Sequence, residues 1–266
     1  MSKKSFTDQM GNVWNINFPP KRIVSLVPSQ TELLHYFGLE EEVIGITKFC
    51  IHPEEWFRSK KRIGGTKTIN LEKISALQPD LIIGNKEENQ KEQIEALSAQ
   101  YPVWMSDIKN PEDAFEMIEM VGNLTNRSKK AGELSEELKT QFSTHQKLIL
   151  SQSKKRVAYF IWRSPYMVAA GDTFIDQMLE IAGFINVYGH QERYPVITLE
   201  ELKAQNPEVI LLSSEPYPFK EKHIEAFQKT CPEAKIVIVD GELFSWYGSR
   251  LLLSVRYFNN LHTQLW

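Results

Sequence analysis

The feature that most constrains this chain is an internal repeat. Residues 70–84 read NLEKISALQPDLIIG and residues 198–212 read TLEELKAQNPEVILL, an offset of 128. Five of the fifteen positions are identical: Leu71/Leu199, Glu72/Glu200, Ala76/Ala204, Pro79/Pro207 and Ile82/Ile210. A second pair, QIEALSAQYP (93–102) and HIEAFQKTCP (223–232), follows at an offset of 130 with four identities in ten. Each copy of the first pair reads as a short helix, a proline turn and an apolar strand. Convergent helix–Pro–strand composition is the competing account of one such match. Two matches in the same order at nearly one offset point to two related α/β halves.

The segments around the repeats fit that plan. Arg22-Ile23-Val24-Ser25-Leu26-Val27 is an apolar run of the kind that forms a buried parallel strand. Ser29 followed by Glu32 predicts a capping box, with Leu33, Leu34 and Phe37 behind it and Gly38 closing the helix. Residues 43–46 then form a second strand, completing a βαβ signature. From Thr125 to about Ser153 there is no proline and one glycine, Gly132; Leu134, Leu138, Phe142, His145 and Leu148 make one helical stripe. Another strand starts at Arg156, a helix at Thr173 with Asp176, strands at 209–212 and 236–239, and a last helix at 249–261. The expected fold is α/β: two Rossmann-like lobes with parallel sheets joined by one long backbone helix. The expected bounds are an N-terminal lobe over 1–123, the helix over 124–153 and a C-terminal lobe over 154–266.

Composition narrows the function. Thirty-one Lys and Arg against 34 Asp and Glu give a net charge of −3 over 266 residues, which offers no electrostatic footprint for nucleic acid. Cys50 and Cys231 are too few for a disulfide scaffold. No stretch approaches the ~18 apolar residues of a membrane span, and none of ~7–15 follows Met1-Ser2-Lys3-Lys4. As written, the chain is cytoplasmic or lacks its export signal. Phosphate loops of the GxxxxGK[ST] type, GxSxG elbows and HExxH pairs are all missing, so catalysis has no support in sequence.

Parallel α/β sheets present ligands to the carboxyl ends of their strands. In the first half these ends carry Pro28, Ser29, Phe49, His52, Asn85 and Trp104. In the second they carry Trp162, Arg163, Tyr166, Ser213, Ser214, Trp246, Tyr247 and, just beyond, Arg250. Indole and phenol rings suit a bulky, flat ligand, although aromatic residues at strand ends also cap cores. Arg163 and Arg250 are candidates for anion contacts, with surface ion pairing as the alternative. His52 and His190 are the histidines placed near the ligand, as metal or axial ligands or as ordinary hydrogen-bonding side chains.

With these segments in order, the chain from about Phe6 onward resembles the substrate-binding proteins of ABC importers, in the helical-backbone group that binds cobalamin, haem and ferric siderophores. The carrying segments are PPKRIVSLVPSQTELLHYFGL (19–39), RIGGTKTINLEKISALQPDLIIG (62–84), MVAAGDTFIDQMLEIAGFINV (167–187) and TLEELKAQNPEVILL (198–212). The resemblance implies a ligand held between two lobes, no intrinsic cofactor, and a metal chelate of iron or cobalt as cargo. It implies a periplasmic or surface-anchored monomer that docks on a permease dimer through one glutamate per lobe, here Glu72 and Glu200. Where cobalamin binders of the group carry a pocket tryptophan after the third strand, this chain has Asn85. The readings from other classes are a chelatase-like metal- or tetrapyrrole-handling enzyme and an orphan ligand sensor.

Overall fold

A computed structural model describes residues 2–150 and 152–265. The chain forms two compact units. Unit 1 comprises the residues up to Ile108, Glu112–Leu138 and Tyr247–Arg250; unit 2 comprises Lys109–Pro111, Lys139–Trp246 and the residues from Leu251 onward.

Unit 1 opens with an antiparallel hairpin, β1 (Ser2–Thr7) and β2 (Val13–Phe18). Then come β3 (Ile23–Ser25), α1 (Pro28–Tyr36), β4 (Val43–Ile46), α2 (Glu54–Ser59) and β5 (Lys61–Arg62). They are followed by α3 (Leu71–Leu77), β6 (Leu81–Asn85), α4 (Lys91–Ser98), β7 (Val103–Ser106) and α5 (Pro111–Leu124). The five strands after the hairpin form a parallel sheet in the order β5-β4-β3-β6-β7. Helix α6 (Ser128–Ile149) gives its first half to unit 1 and its second half to unit 2.

Unit 2 contains β8 (Lys155–Arg163), β9 (Tyr166–Val168), α7 (Phe174–Ile181), β10 (Phe184–Asn186), α8 (Leu199–Gln205) and β11 (Val209–Ser213). A 3-10 turn (Glu221–His223), α9 (Ile224–Thr230), β12 (Lys235–Val239), α10 (Glu242–Ser245) and α11 (Leu251–Leu265) complete it. Its parallel sheet runs β10-β8-β11-β12, with β9 antiparallel on β8.

The repeat is conformational as well as textual. Helices α3 and α8 both have seven residues, too short to be stable alone. Each is held at both ends. Asn70 Oδ1 accepts from Lys73 N–H at 2.8 Å, and Thr198 Oγ1 accepts from Glu201 N–H at 3.1 Å. Each ends on a left-handed residue ahead of its proline, Gln78 at φ 45° and Asn206 at φ 46°. An arginine at the start of the neighbouring strand, Arg22 just before β3 and Arg156 within β8, then caps the exposed carbonyls: Arg22 donates to Leu77 O at 2.6 Å, and Arg156 to Gln205 O at 2.7 Å. An acidic side chain returns the contact, Asp80 accepting from Arg22 N–H and Glu208 from Arg156 N–H, both at 2.9 Å.

Two local expectations change. Helix α1 has no capping box: Pro28 opens it after Val27, and the Glu32 carboxylate is drawn away to Arg250. Helix α6 is shorter than the span 124–153, because Leu124 ends α5 and the chain turns at Asn126 with φ 60° before α6 begins. Its stripe finishes on Ile149, and Leu148 is 56% exposed, since steps of 4, 4, 3 and 4 from Leu134 carry the buried face past Leu148.

His145 lies on that face, buried in unit 2. Its Nδ1 is 3.0 Å from Asn259 Oδ1 and its Nε2 2.9 Å from Ile181 O. Burial holds its pKa below the usual histidine value against these two contacts. Burial, then His145 and Lys155, does the same to His262. With folded pKa values below the unfolded ~6.5, protons bind the unfolded chain preferentially as pH falls through that value. Stability should therefore be full above pH ~6.5 and be lost below it. Denaturant midpoints measured at pH 7.5 and 5.5 are expected to fall with acidification, and to fall less in His145→Gln.

Candidate ligand-binding residues

At the carboxyl edge of the unit 1 sheet, the strand ends feed a network of buried neutral polar groups. Gln30, at 0% exposure, donates from Nε2 to Ser106 Oγ at 2.6 Å, and Asn85 Nδ2 donates to the same oxygen at 3.0 Å. Thr31 Oγ1 sits 2.8 Å from Ser25 Oγ and 3.1 Å from Cys50 Sγ, which Thr47 Oγ1 also approaches at 3.2 Å. Burial pushes the Cys50 thiol up, so it is an inert packed group. Tyr247 is buried here too. Burial, then the nearby Glu88 carboxylate, raises its pKa. Burial also raises Glu88, with Lys67 opposing it. Gln30 Oε1 and Ser249 Oγ are buried with no hydrogen-bond partner among the described residues. Such atoms call for a donor from water or ligand. Phe49 projects beyond β4 at 49% exposure with Lys48 Nζ 5.0 Å from its ring.

The corresponding edge of unit 2 is aromatic and cationic. Trp162, 39% exposed at the end of β8, meets the Tyr217 ring edge-on with centroids 5.7 Å apart. The exposed Arg163 guanidinium lies beside the hydroxyls of Tyr217 and then Tyr166, whose influence raises its pKa. His223 Nε2 lies 3.4 Å from Tyr217 Oη. Burial, then the cations of Arg163, Lys222 and Lys220, keep His223 below its usual pKa.

Several sequence candidates are occupied otherwise. Strand β7 runs on to Ser106, so Trp104 stands inside it, paired with Ile83. Its ring is 1% exposed and its indole N–H donates to Thr7 O at 3.2 Å, which makes it core. Asn85 is consumed by a turn, its Oδ1 accepting from the Glu87 and Glu88 amides at 2.8 and 3.1 Å. Trp246 is buried, with its N–H donated to Glu215 Oε1 at 2.9 Å. Arg250 forms a two-pronged pair with Glu32, both distances 2.8 Å, and so is not open to an anion. Ser213 Oγ is buried between Tyr159 Oη and Glu215 O, and Ser214 Oγ accepts from Gly241 N–H at 3.0 Å. Pro28 and His52 are half-buried, Ser29 is buried, and His190 is exposed. Neither His52 nor His190 joins a group of three potential metal ligands among the described residues. Tyr217 and His223 are the additions. His223 matches Gln93 in the repeat, where the first copy has no imidazole to draw notice.

Two α/β units, each presenting polar or aromatic side chains at the carboxyl edge of a parallel sheet, define a two-lobed solute-binding fold. The family model for periplasmic binding proteins matches residues 23–235, and the chain belongs to that family. A vitamin B12-binding protein of Photorhabdus laumondii is 25% identical over 237 residues, covering 88% of this chain and 85% of that one. An uncharacterized ABC transporter substrate-binding lipoprotein of Bacillus subtilis is 27% identical over 250 residues, covering 89% and 78%. The crystal structure of the periplasmic vitamin B12-binding protein of Vibrio cholerae superposes with a TM-score of 0.79 at 20% identity, covering 93% of this chain and all of that one (100%). The family is one of binding proteins, so the chain is a binding protein rather than an enzyme.

The Glu32–Arg250 pair joins α1 to the Tyr247–Arg250 segment within unit 1, with side-chain exposures of 21% and 11%. Glu32→Gln leaves a mostly buried guanidinium without its anion. The expected loss is about 2–3 kcal/mol, read from urea unfolding. Replacing Glu55, an exposed carboxylate, by Gln should shift the midpoint far less.

Proposed function

We propose that this chain captures a metal chelate, an iron or cobalt complex of the siderophore, haem or cobalamin kind, and delivers it to an ABC permease. The observation that carries the reading is the end of β8 in unit 2, where the exposed Trp162 meets the Tyr217 ring and the exposed Arg163 lies beside Tyr217 and Tyr166. The exposed Trp162 indole and the half-buried phenol rings supply dispersion and apolar contact for a large rigid ligand, and the guanidinium supplies a fork for a carboxylate or other oxyanion at its margin. Phe49 and the unpartnered Gln30 Oε1 of unit 1 are the complementary candidates, one apolar and one a hydrogen-bond acceptor. The relatives named for vitamin B12 support the same chemical class. So does the structure of a periplasmic heme-binding protein in complex with two hemes, with a TM-score of 0.78.

Glu72 and Glu200 are the candidates for permease docking. Both are exposed, each at the second position of its repeat helix, with the Asn70 and Thr198 caps fixing the helix start. Two equivalent carboxylates suit a two-fold permease met by one monomer of this chain.

Tryptophan-fluorescence titration with cyanocobalamin, haemin and ferric siderophores, backed by calorimetry, tests the ligand. One compound should bind with one-to-one stoichiometry. Trp162→Ala should weaken that compound by about 1–3 kcal/mol, the cost of truncating a buried aromatic contact. Unchanged affinity in Trp162→Ala removes the unit 2 face from the site. For docking, Glu72→Ala with Glu200→Ala should abolish permease association while leaving ligand affinity intact, and a loss of ligand affinity counts against the assignment.

A further inference from the structure

A second group of ligating side chains stands apart from the strand-end residues, on unit 1. His35 is in the last turn of α1, Glu40 in the loop that follows, and Glu55 in the first turn of α2. One ligand atom from each lies within 4.8 Å of the other two. His35 and Ser29 are six residues apart on α1, roughly 9 Å along its axis, so this group belongs to the opposite end of the helix from the ligand candidates.

The arrangement is supported from beneath. Trp56, at 0% exposure, donates its indole N–H to Glu40 Oε1 at 2.7 Å and so fixes that carboxylate with its second oxygen to spare. The Trp56 ring also meets the His35 imidazole edge-on at 5.2 Å and 87°. His35 Nε2 is already 2.8 Å from Glu55 Oε1. The adjacent Glu54 is engaged by Arg58, which leaves Glu55 for the histidine. Lys60 is a cation at the edge. Its ammonium donates to the Glu40 backbone carbonyl, stays 3.9 Å from Glu40 Oε1, and rests 5.1 Å from the Trp56 ring, so it lies beside the triangle.

We propose that His35 Nε2 and the Glu40 and Glu55 carboxylates form a binding site for one divalent transition-metal ion of the Zn²⁺ type. One imidazole nitrogen with two carboxylates is a borderline-to-hard donor set that favours Zn²⁺, Ni²⁺ or Cu²⁺ over Mg²⁺ and Ca²⁺. Bonds of about 2.05 Å in a tetrahedron put ligand atoms about 3.3 Å apart. Closing from 4.8 Å calls on rotation of the exposed Glu55 side chain toward the held Glu40 carboxylate. The ion takes the Nε2 lone pair, the ring proton resides on Nδ1, and water completes the coordination. Once bound, the ion ties the end of α1 to the start of α2, the helix that directly follows the loop carrying Phe49 and His52. The site is independent of the chelate reading, because none of its three residues is a proposed chelate contact.

Titration of chelator-treated full chain with ZnCl₂ by calorimetry at pH 7.5 tests it. The expected result is one ion per chain with a dissociation constant in the micromolar range, and a melting temperature that rises with Zn²⁺ and returns with EDTA. His35→Ala should weaken binding at least tenfold and Glu55→Gln severalfold, whereas Glu54→Gln should stay within twofold of the parent; circular dichroism checks that each is folded. Affinity should fall with acidification, as protons compete for the imidazole. The proposal is overturned by no saturable binding below 100 µM (roughly the limit of a specific site). It is overturned equally by parental affinity in His35→Ala and Glu55→Gln, or by a loss in Glu54→Gln equal to that in Glu55→Gln, which marks diffuse electrostatic attraction.

Discussion

Both units share one contact made twice: an arginine at the base of a strand closing the carbonyl end of a seven-residue helix. Arg22 on Leu77 and Arg156 on Gln205 put positive charge where the helix dipole is negative and carbonyls lack internal donors. Asp80 and Glu208 bind the backbone amide of the same arginine, so helix, turn and strand are joined in a closed circuit. The circuit sets where β3 meets β6 and where β8 meets β11, at Ile23↔Leu81 and Val157↔Val209. It thereby sets which residues emerge at the opposite, carboxyl edge. The base of each sheet is specified electrostatically, and its top is left available for binding.

The two edges differ in chemistry although the scaffolds repeat. Unit 1 finishes in buried hydroxyls and amides arranged around Ser106, with Tyr247 brought in by a four-residue excursion of the chain that the Glu32–Arg250 pair anchors. Unit 2 finishes in an exposed indole, half-buried phenols and an exposed guanidinium. This asymmetry comes from the segments after the strands, which the repeat does not include.

The architecture was legible in sequence because its signals are local. The Asn70 and Thr198 caps, the Pro79 and Pro207 turns, the apolar strands and the Thr173 helix start are all encoded within a few residues. The site was legible in part. Trp162, Arg163 and Tyr166 lie at the end of a strand whose limits the apolar run defines, and they are where the pattern puts them. Trp104 and Asn85 were misread, because a shift of two residues in where β7 ends moves an indole from the rim to the core, and because an asparagine after a strand serves its own turn as readily as a ligand.

Sequence alone determined that this is a pair of α/β units with parallel sheets, since helix caps, β-branched runs and breakers act over distances the chain itself spans. Tertiary structure decided which polar groups are spent and which are free. Arg250 and Glu32 are 218 residues apart, and Tyr217, which follows β11, lies beside Arg163 at the end of the adjacent β8. A side chain's availability depends on partners brought close by folding, and no local pattern records them. The same reason hides the triangle of His35, Glu40 and Glu55: a buried indole from a later helix is what organises it.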